Sequence, residues 1–291
     1  MTPNPASARD LRASRQFGGA RLVAPAVLLI VAVTGTALGA MAATSVGLLP
    51  LVGQPHLSTD GYTTLATDLE AATSESLLTA ATATMLAAAI GCTLATVVVR
   101  SGRGVRLLIG LAVVVMTVPH LVGAAATGLL LSDVGLAQRW SGISPARWPE
   151  LVGGRWPWAT VLELAWKESA FVALVVTASI GRQYVDLREV AAVLGAGPRA
   201  QRRRVLLPLA APALASSSLI VFVYSLGTYE VARLLGRAYP EPLPVMAYRL
   251  FTDIDVAARP QAAATAVVAT GLALLAAVIS LPLMRRLGAD R

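Results

Sequence analysis

The chain has 291 residues, of which 56% are hydrophobic and only 14% charged. A soluble domain of this size needs about 25% charged residues to keep its surface hydrated, so a mean hydropathy of +0.67 excludes an ordinary water-soluble fold and makes lipid the main solvent. The cysteine and histidine complement is Cys92, His56 and His120, too small for a disulfide framework or a Cys/His metal site.

The formal charge of +8 is almost all arginine, with Lys167 the only lysine, and its placement along the chain sets the expected topology. A tail, 1–21, carries Arg9, Arg12, Arg15 and Arg21. The first apolar window, 22–46, is long enough to cross the hydrocarbon core, which takes about 20 residues at 1.5 Å each. Ala40-Met41-Ala42 resembles a signal cleavage site, but the run exceeds the usual apolar region of about 7 to 15 residues, so a retained helix is expected. Gly35 and Gly39 form a small-residue packing motif on it. The following stretch has no Lys or Arg but holds Asp60, Asp68, Glu70 and Glu75, which suits an outer face.

The second window, 77–99, leads into Arg100, Arg103 and Arg106, and the third, 107–131, contains Pro119, which predicts a kink beside His120. Trp140, Trp148, Trp156 and Trp158 then cluster as an interfacial belt around a short helix near 135–140. In the fourth window, 158–180, Glu163 stands four residues before Lys167, the favourable order for an ion pair on one helix face, with Glu168 adjacent. Charges inside a span cost at least about 2.5–3.5 kcal/mol each, so these residues and His120 are candidates either for structural pairing or for a polar path. The loop 181–213 carries Arg182, Arg188, Arg199, Arg202, Arg203 and Arg204; the fifth window, 214–235, holds Glu230 three residues before Arg233, a second expected pair; the sixth, 262–284, ends in a tail, 285–291, with Arg285, Arg286 and Arg291. Arginines thus mark alternate connections, and the positive-inside rule makes those cytoplasmic, with both termini inside. Arg139, Arg147, Arg155, Arg249 and Arg259 fall on the other side and blur the pattern. The expected architecture is an all-α integral membrane protein with six transmembrane helices in one domain, 22–284. The arginines are explained by topology rather than by nucleic acid.

A connection of some thirty residues is longer than joining two helices requires. Within it, good helix formers run from Tyr184 to Leu194, and Gly195 and Gly197-Pro198 interrupt before a second helix. Glu189 reads either as an acid favoured by the dipole of a short helix or as a fixed anion offered to a partner, with Ala191 and Ala192 leaving room for close approach. This stretch resembles the EAA loop of permease subunits of type I bacterial ABC importers: Glu189, the small Ala191 and Ala192, Gly195 six residues on, and Val205-Leu206-Leu207-Pro208 stand at that family's spacing, with Val190 departing from its usual alanine. Gly227-Thr228-Tyr229-Glu230-Val231, Leu234-Leu235-Gly236 and Tyr239 to Val245 are similar to permeases of polyamine, thiosulfate and iron importers, as are Trp166-Lys167 and Phe171.

The resemblance implies a type I permease fold in which the loop is a cytoplasmic coupling helix, with Glu189, Ala191, Ala192, Gly195, Ala196, Gly197, Leu207 and Pro208 facing a partner ATPase. His120, Glu163, Lys167, Tyr229, Glu230 and Arg233 become candidates for the translocation path. It further implies a second permease, homologous but different, two ABC ATPases holding ATP and Mg, and an extracytoplasmic binding protein or lipoprotein delivering a small hydrophilic solute, all at the cytoplasmic membrane. The sequence has no Gly-x-x-x-x-Gly-Lys-Ser/Thr loop to cradle ATP phosphates, so a transport subunit without bound cofactor or enzymatic activity is expected. The competing reading is an ion-driven secondary transporter using Glu163, Lys167 and Glu230 as proton or ion sites.

Overall fold

The computed structural model describes residues 5–100 and 105–289; Arg103 and Arg291 lie outside the described residues, and for 5–21, 100, 105, 182, 283 and 287–289 only the backbone is described. Twelve α-helices occur among the described residues: α1 (Pro5–Ser45), α2 (Asp60–Thr63), α3 (Ala66–Arg100), α4 (Val105–Thr117), α5 (His120–Leu131), α6 (Leu136–Ser141), α7 (Trp158–Val193), α8 (Pro198–Gln201), α9 (Leu207–Gly227), α10 (Glu230–Leu235), α11 (Leu243–Phe251) and α12 (Arg259–Ala289). Leu22–Ser45, Ala66–Val99, His120–Ser141, Pro198–Gly227 and Val256–Arg286 are long and apolar enough to cross a membrane. Helix α7 is longer than any crossing requires but more charged; much of it lies inside the bundle, packed by α3, α4, α5 and α9, so Glu163 and Lys167 face protein rather than lipid.

Small residues determine how closely α3 and α7 approach. Ala80, Ala83 and Ala87 are fully buried on α3, and a Cβ on Gly91 would stand 2.6 Å from the Val172 Cβ of α7. In lipid, where apolar burial gives no preference for helix contact, such close backbone packing supplies the van der Waals energy of association. The core continues through Val172, Val176, Ile180 and Tyr184 on α7 to Leu206, Leu209 and Val221. A second cluster joins Ala83, Ala124, Leu164, Val231 and Leu235, and a third joins Ala72 of α3 to Leu243, Met246 and Leu250 of α11 and Ala262 of α12. Helix α1 packs on α12 at the periphery; a Cβ added at Gly35 or Gly39 would meet nothing within 4 Å among the described residues, so no close helix contact forms at this motif there.

Three windows differ from expectation. The third is two helices, because Pro119 has no N–H to continue α4 and forces Val118 out of the helical region; α5 restarts at His120 with Pro119 at φ −57°, ψ 142°. The fifth ends at Gly227, and Glu230–Leu235 is a separate short helix. The fourth does not stop near 180: no proline interrupts it, and α7 runs 36 residues to Val193, roughly 54 Å at 1.5 Å per residue. The expected short loop helix is therefore the far end of this helix.

Candidate functional site

At its far end α7 closes in a defined cap. The Ala196 N–H donates to the Ala191 carbonyl (2.9 Å) and the Gly195 N–H to the Ala192 carbonyl (3.0 Å), the paired bonds of a Schellman motif. Gly195 sits at φ +78°, a left-handed conformation that side chains with a Cβ resist. Gly197 then precedes α8 with Pro198 in its first turn, and the Gln201 amide donates back to the Ala196 carbonyl at 2.8 Å. A π-helical turn over Arg202–Leu206 leads into α9, where Leu207 and Pro208 are exposed while Leu206 is buried against Tyr184.

Glu189 lies one turn from the C-terminal end of α7, not at a helix N-terminus. An acid there meets the negative end of the dipole, a cost of the order of 0.3–1 kcal/mol, and among the described residues it makes no ion pair. Around it stands an apolar tip the sequence did not single out: Val190 is 57% exposed, Val193 88% and Leu194 80%. The available signal was three aliphatic residues flanked by Arg188 and Arg199 in a segment assigned to water. Ala192 is exposed beside them and Ala191 half-buried.

The second constellation lies at the break between α4 and α5. Glu163 is fully buried and Lys167 nearly so, yet they do not form the ion pair that their spacing predicts. Lys167 Nζ instead donates to the Val118 carbonyl, an acceptor released where Pro119 ends the helix. Glu163 Oε1 is 3.6 Å from His120 Nδ1, and Glu168 Oε1 is 3.5 Å from His120 Nε2. The His120 ring packs on Tyr224 of α9, centroids 4.8 Å apart. Both Glu163 carboxylate oxygens lack a hydrogen-bond partner. Glycine at 123 makes room, since a Cβ there would stand 2.8 Å from Glu163 Oε1. Three elements thus converge on one polar cluster within the bundle, partly exposed on the side of His120 and Tyr224.

Glu230 and Arg233, the other expected pair, are exposed and unpaired among the described residues. Arg233 instead lines a cavity with Tyr229, Arg237, Tyr248 and Arg249, at the end of the bundle opposite Gly195. This end is tied together by polar contacts. Arg237 pairs with Glu75 of α3, the Leu243 N–H donates to Ser76 Oγ at 2.8 Å, and the Tyr239 hydroxyl donates to Asp68 Oδ1 at 3.0 Å. That hydrogen bond, with the Asp68 charge, pushes the Tyr239 hydroxyl above its usual pKa. Arg249 Nε donates to Glu241 Oε1 at 2.7 Å, which raises the guanidinium pKa further. The short helix expected near Trp140 is α6; Trp140, Trp156 and Trp158 are exposed, while Trp148 Nε1 donates to the Leu131 carbonyl at 3.0 Å.

Comparison with known proteins agrees with this architecture. The chain is 31% identical over 143 residues to the inner membrane ABC transporter permease protein YnjC of Escherichia coli (strain K12), an alignment covering 48% of this chain but only 27% of that protein. Its fold is similar to a chain of a bacterial ABC transporter that imports the acidic polysaccharide alginate (TM-score 0.72, 19% identity, covering 94% of this chain and 99% of that one). It is similar as well to a chain of a bacterial alginate ABC transporter in complex with an alginate pentasaccharide-bound periplasmic protein (TM-score 0.75, 17% identity, covering 94% and 96%). Residues 87–290, most of the chain, match the binding-protein-dependent transport system inner membrane component family, and the chain belongs to that family.

Proposed function

We propose that this chain is the permease subunit of an ATP-driven, binding-protein-dependent importer in the cytoplasmic membrane, coupled to two ATPases through the far end of α7. The observation that carries the reading is the tip itself: a glycine-capped helix end with Val190, Val193 and Leu194 exposed beside Glu189, which has no ion pair among the described residues. An exposed aliphatic cluster with a polar rim on a rigid helix marks a protein interface, and a groove on a partner would bury all three side chains. Glu189, Ala191, Ala192, Gly195, Ala196 and Gly197 form the docking turn, with Leu207 and Pro208 at its base.

The arginines around this turn support a cytoplasmic position for it, with both chain termini on that side and the 47–76 and 236–258 segments toward the outer face. The open side of the His120 cluster cannot face hydrocarbon without a large desolvation cost, so it lines the solute path against a second, homologous permease. A small hydrophilic solute arrives on an extracytoplasmic binding protein, as the complex of the structural relative exemplifies. The resemblance of the segments 227–236 and 239–245 to those of polyamine-, thiosulfate- and iron-type permeases supports that subgroup.

The test is to express the chain with its neighbouring genes, purify it in mild detergent and identify what co-purifies. An ATPase is expected with the wild type and its loss with Leu194→Asp and Val193→Asp, while thermal unfolding of the permease itself stays unchanged. Uptake that persists without ATP hydrolysis but collapses with the proton gradient would overturn the reading.

A further inference from the structure

Arginine is disfavoured at the outer end of a membrane bundle, yet Arg155, Arg233, Arg237 and Arg249 converge there from the loop after α6 and from the segment 233–249. Three of them line a cavity of about 470 Å³ between α10 and α11, a size typical of small-molecule sites, which run about 300–1,000 Å³. Two of these guanidiniums are fixed in the wall. Arg237 is held by Glu75 and by the Arg155 carbonyl (2.7 Å), and Arg249 by Glu241 through Nε (2.7 Å) and Nη2 (2.6 Å). Arg233 has no ion-pair partner among the described residues, and the Arg237 Nε is buried without an acceptor. The cavity therefore keeps one positive charge without an ion-pair partner among the described residues.

Its other wall is aromatic. The Tyr229 and Tyr248 rings pack 4.6 Å apart, tilted by 44°; Thr252 also lines the cavity, as does Glu241, whose charge is taken up by Arg249. Guanidinium forks recognise carboxylates in two-point fashion, and tyrosine presents an apolar face with a hydroxyl at its edge. From this combination we propose that the cavity is a solute site at the outer mouth of the path, selective for a small hydroxylated carboxylate such as a sugar acid. The proposal rests on the permease reading above and names the class of solute that passes this chain. Arg233 supplies the attraction, while Arg237 and Arg249, already immobilised by their carboxylates, add oriented N–H groups with little further loss of freedom.

The experiment uses the full chain in right-side-out vesicles with its co-expressed partners. Thr252→Cys is introduced in a Cys92→Ser background and labelled with an anionic or a cationic methanethiosulfonate. D-glucuronate is the probe and D-glucose the neutral control. The anionic reagent is expected to react faster by about threefold or more, as a local positive field concentrates anions; glucuronate protects and glucose does not. Arg233→Gln abolishes both the preference and the protection. Equal rates with equal protection by both sugars would overturn the proposal. So would protection by the solute-free binding protein alone, which would make the cavity a docking site for its acidic side chains. Failure of the permease reading shows separately, as labelling only from the inner face or as absence of binding-protein-stimulated ATP hydrolysis. Outer labelling and stimulated hydrolysis without glucuronate protection would overturn the solute site alone.

Discussion

Lys167 illustrates how a single buried charge is held in a span. Its ammonium group caps the Val118 carbonyl, while its positive charge lies across the Gly123 position from the buried Glu163 carboxylate, since a Cβ there would approach both Lys167 Cδ (3.2 Å) and Glu163 Oε1. Neither partner is stable alone in a low-dielectric setting, because removing one leaves an uncompensated ion at a cost of about 3–5 kcal/mol. Lys167→Met is accordingly expected to destabilise the protein by that amount, measured by thermal unfolding in detergent. Adding Glu163→Gln to Lys167→Met recovers part of the loss, so the double variant is more stable than the sum of the single effects; strict additivity would show the two side chains to be uncoupled. Gly123→Ala tests the same site sterically. Its new methyl meets the end of the Glu163 side chain, which has to shift within a buried site, and a loss of about 1 kcal/mol is expected, the low end of the range for overpacked cores.

At the scale of the element, the decisive feature is how α7 ends. Gly195 has open space around a hypothetical Cβ, so within the chain its requirement is conformational, φ +78°, and asparagine can meet that requirement better than other residues with a side chain. Gly195→Val should strain the cap and cost about 1–2 kcal/mol. Gly195→Asn should fold with nearly wild-type thermal stability yet lose co-purifying ATPase, because its side chain occupies the space a docked surface needs. Full coupling in the asparagine variant would reduce the glycine to a helix stop. Much of this was legible in advance: the spacing from Glu189 through Gly195 to Pro208 located the turn, and the long apolar windows pointed to an all-helical membrane protein, although the third, fourth and fifth windows do not match the helices that form. What could not be read was the direction of Lys167, whose acceptor is 49 residues away on a helix broken by Pro119. Nor could the outer cavity be read, since its arginine anchors come from Glu75, Arg155 and Glu241, widely separated in sequence. Local periodicity gives a helix its face; only packing decides which groups on that face meet.

Across the whole molecule, α7 carries both the exposed apolar tip and the buried charge cluster, with about 25 residues, or roughly 37 Å of helix, between Lys167 and Ala192. Its N-terminal half packs on α3, α4 and α5, and the N-terminal part of α3 is tied in turn through Glu75 to Arg237 and through Ser76 to Leu243. From Val185 onward, the side of the helix bearing Val185, Asp186 and Leu187 is exposed. A stiff rod anchored at one end transmits a push on its tip to the side chains that pack along it, here Tyr184, Ile180, and then Lys167 and Glu163. If this rod is the coupling device, breaking it between the anchor and the tip must separate ATPase binding from transport. Asp186 offers the position, being exposed and remote from both sites; proline there removes a helical hydrogen bond and kinks the rod at a cost of about 3 kcal/mol. Asp186→Pro is therefore expected to retain co-purifying ATPases, because the Gly195 turn is untouched, while binding-protein-stimulated hydrolysis and solute uptake both collapse. Asp186→Ala, which keeps the helix continuous, should leave them intact. Stimulated hydrolysis that survives the proline would mean that the signal crosses the membrane through α9, by way of the π-helical turn at Arg202–Leu206, and not along α7.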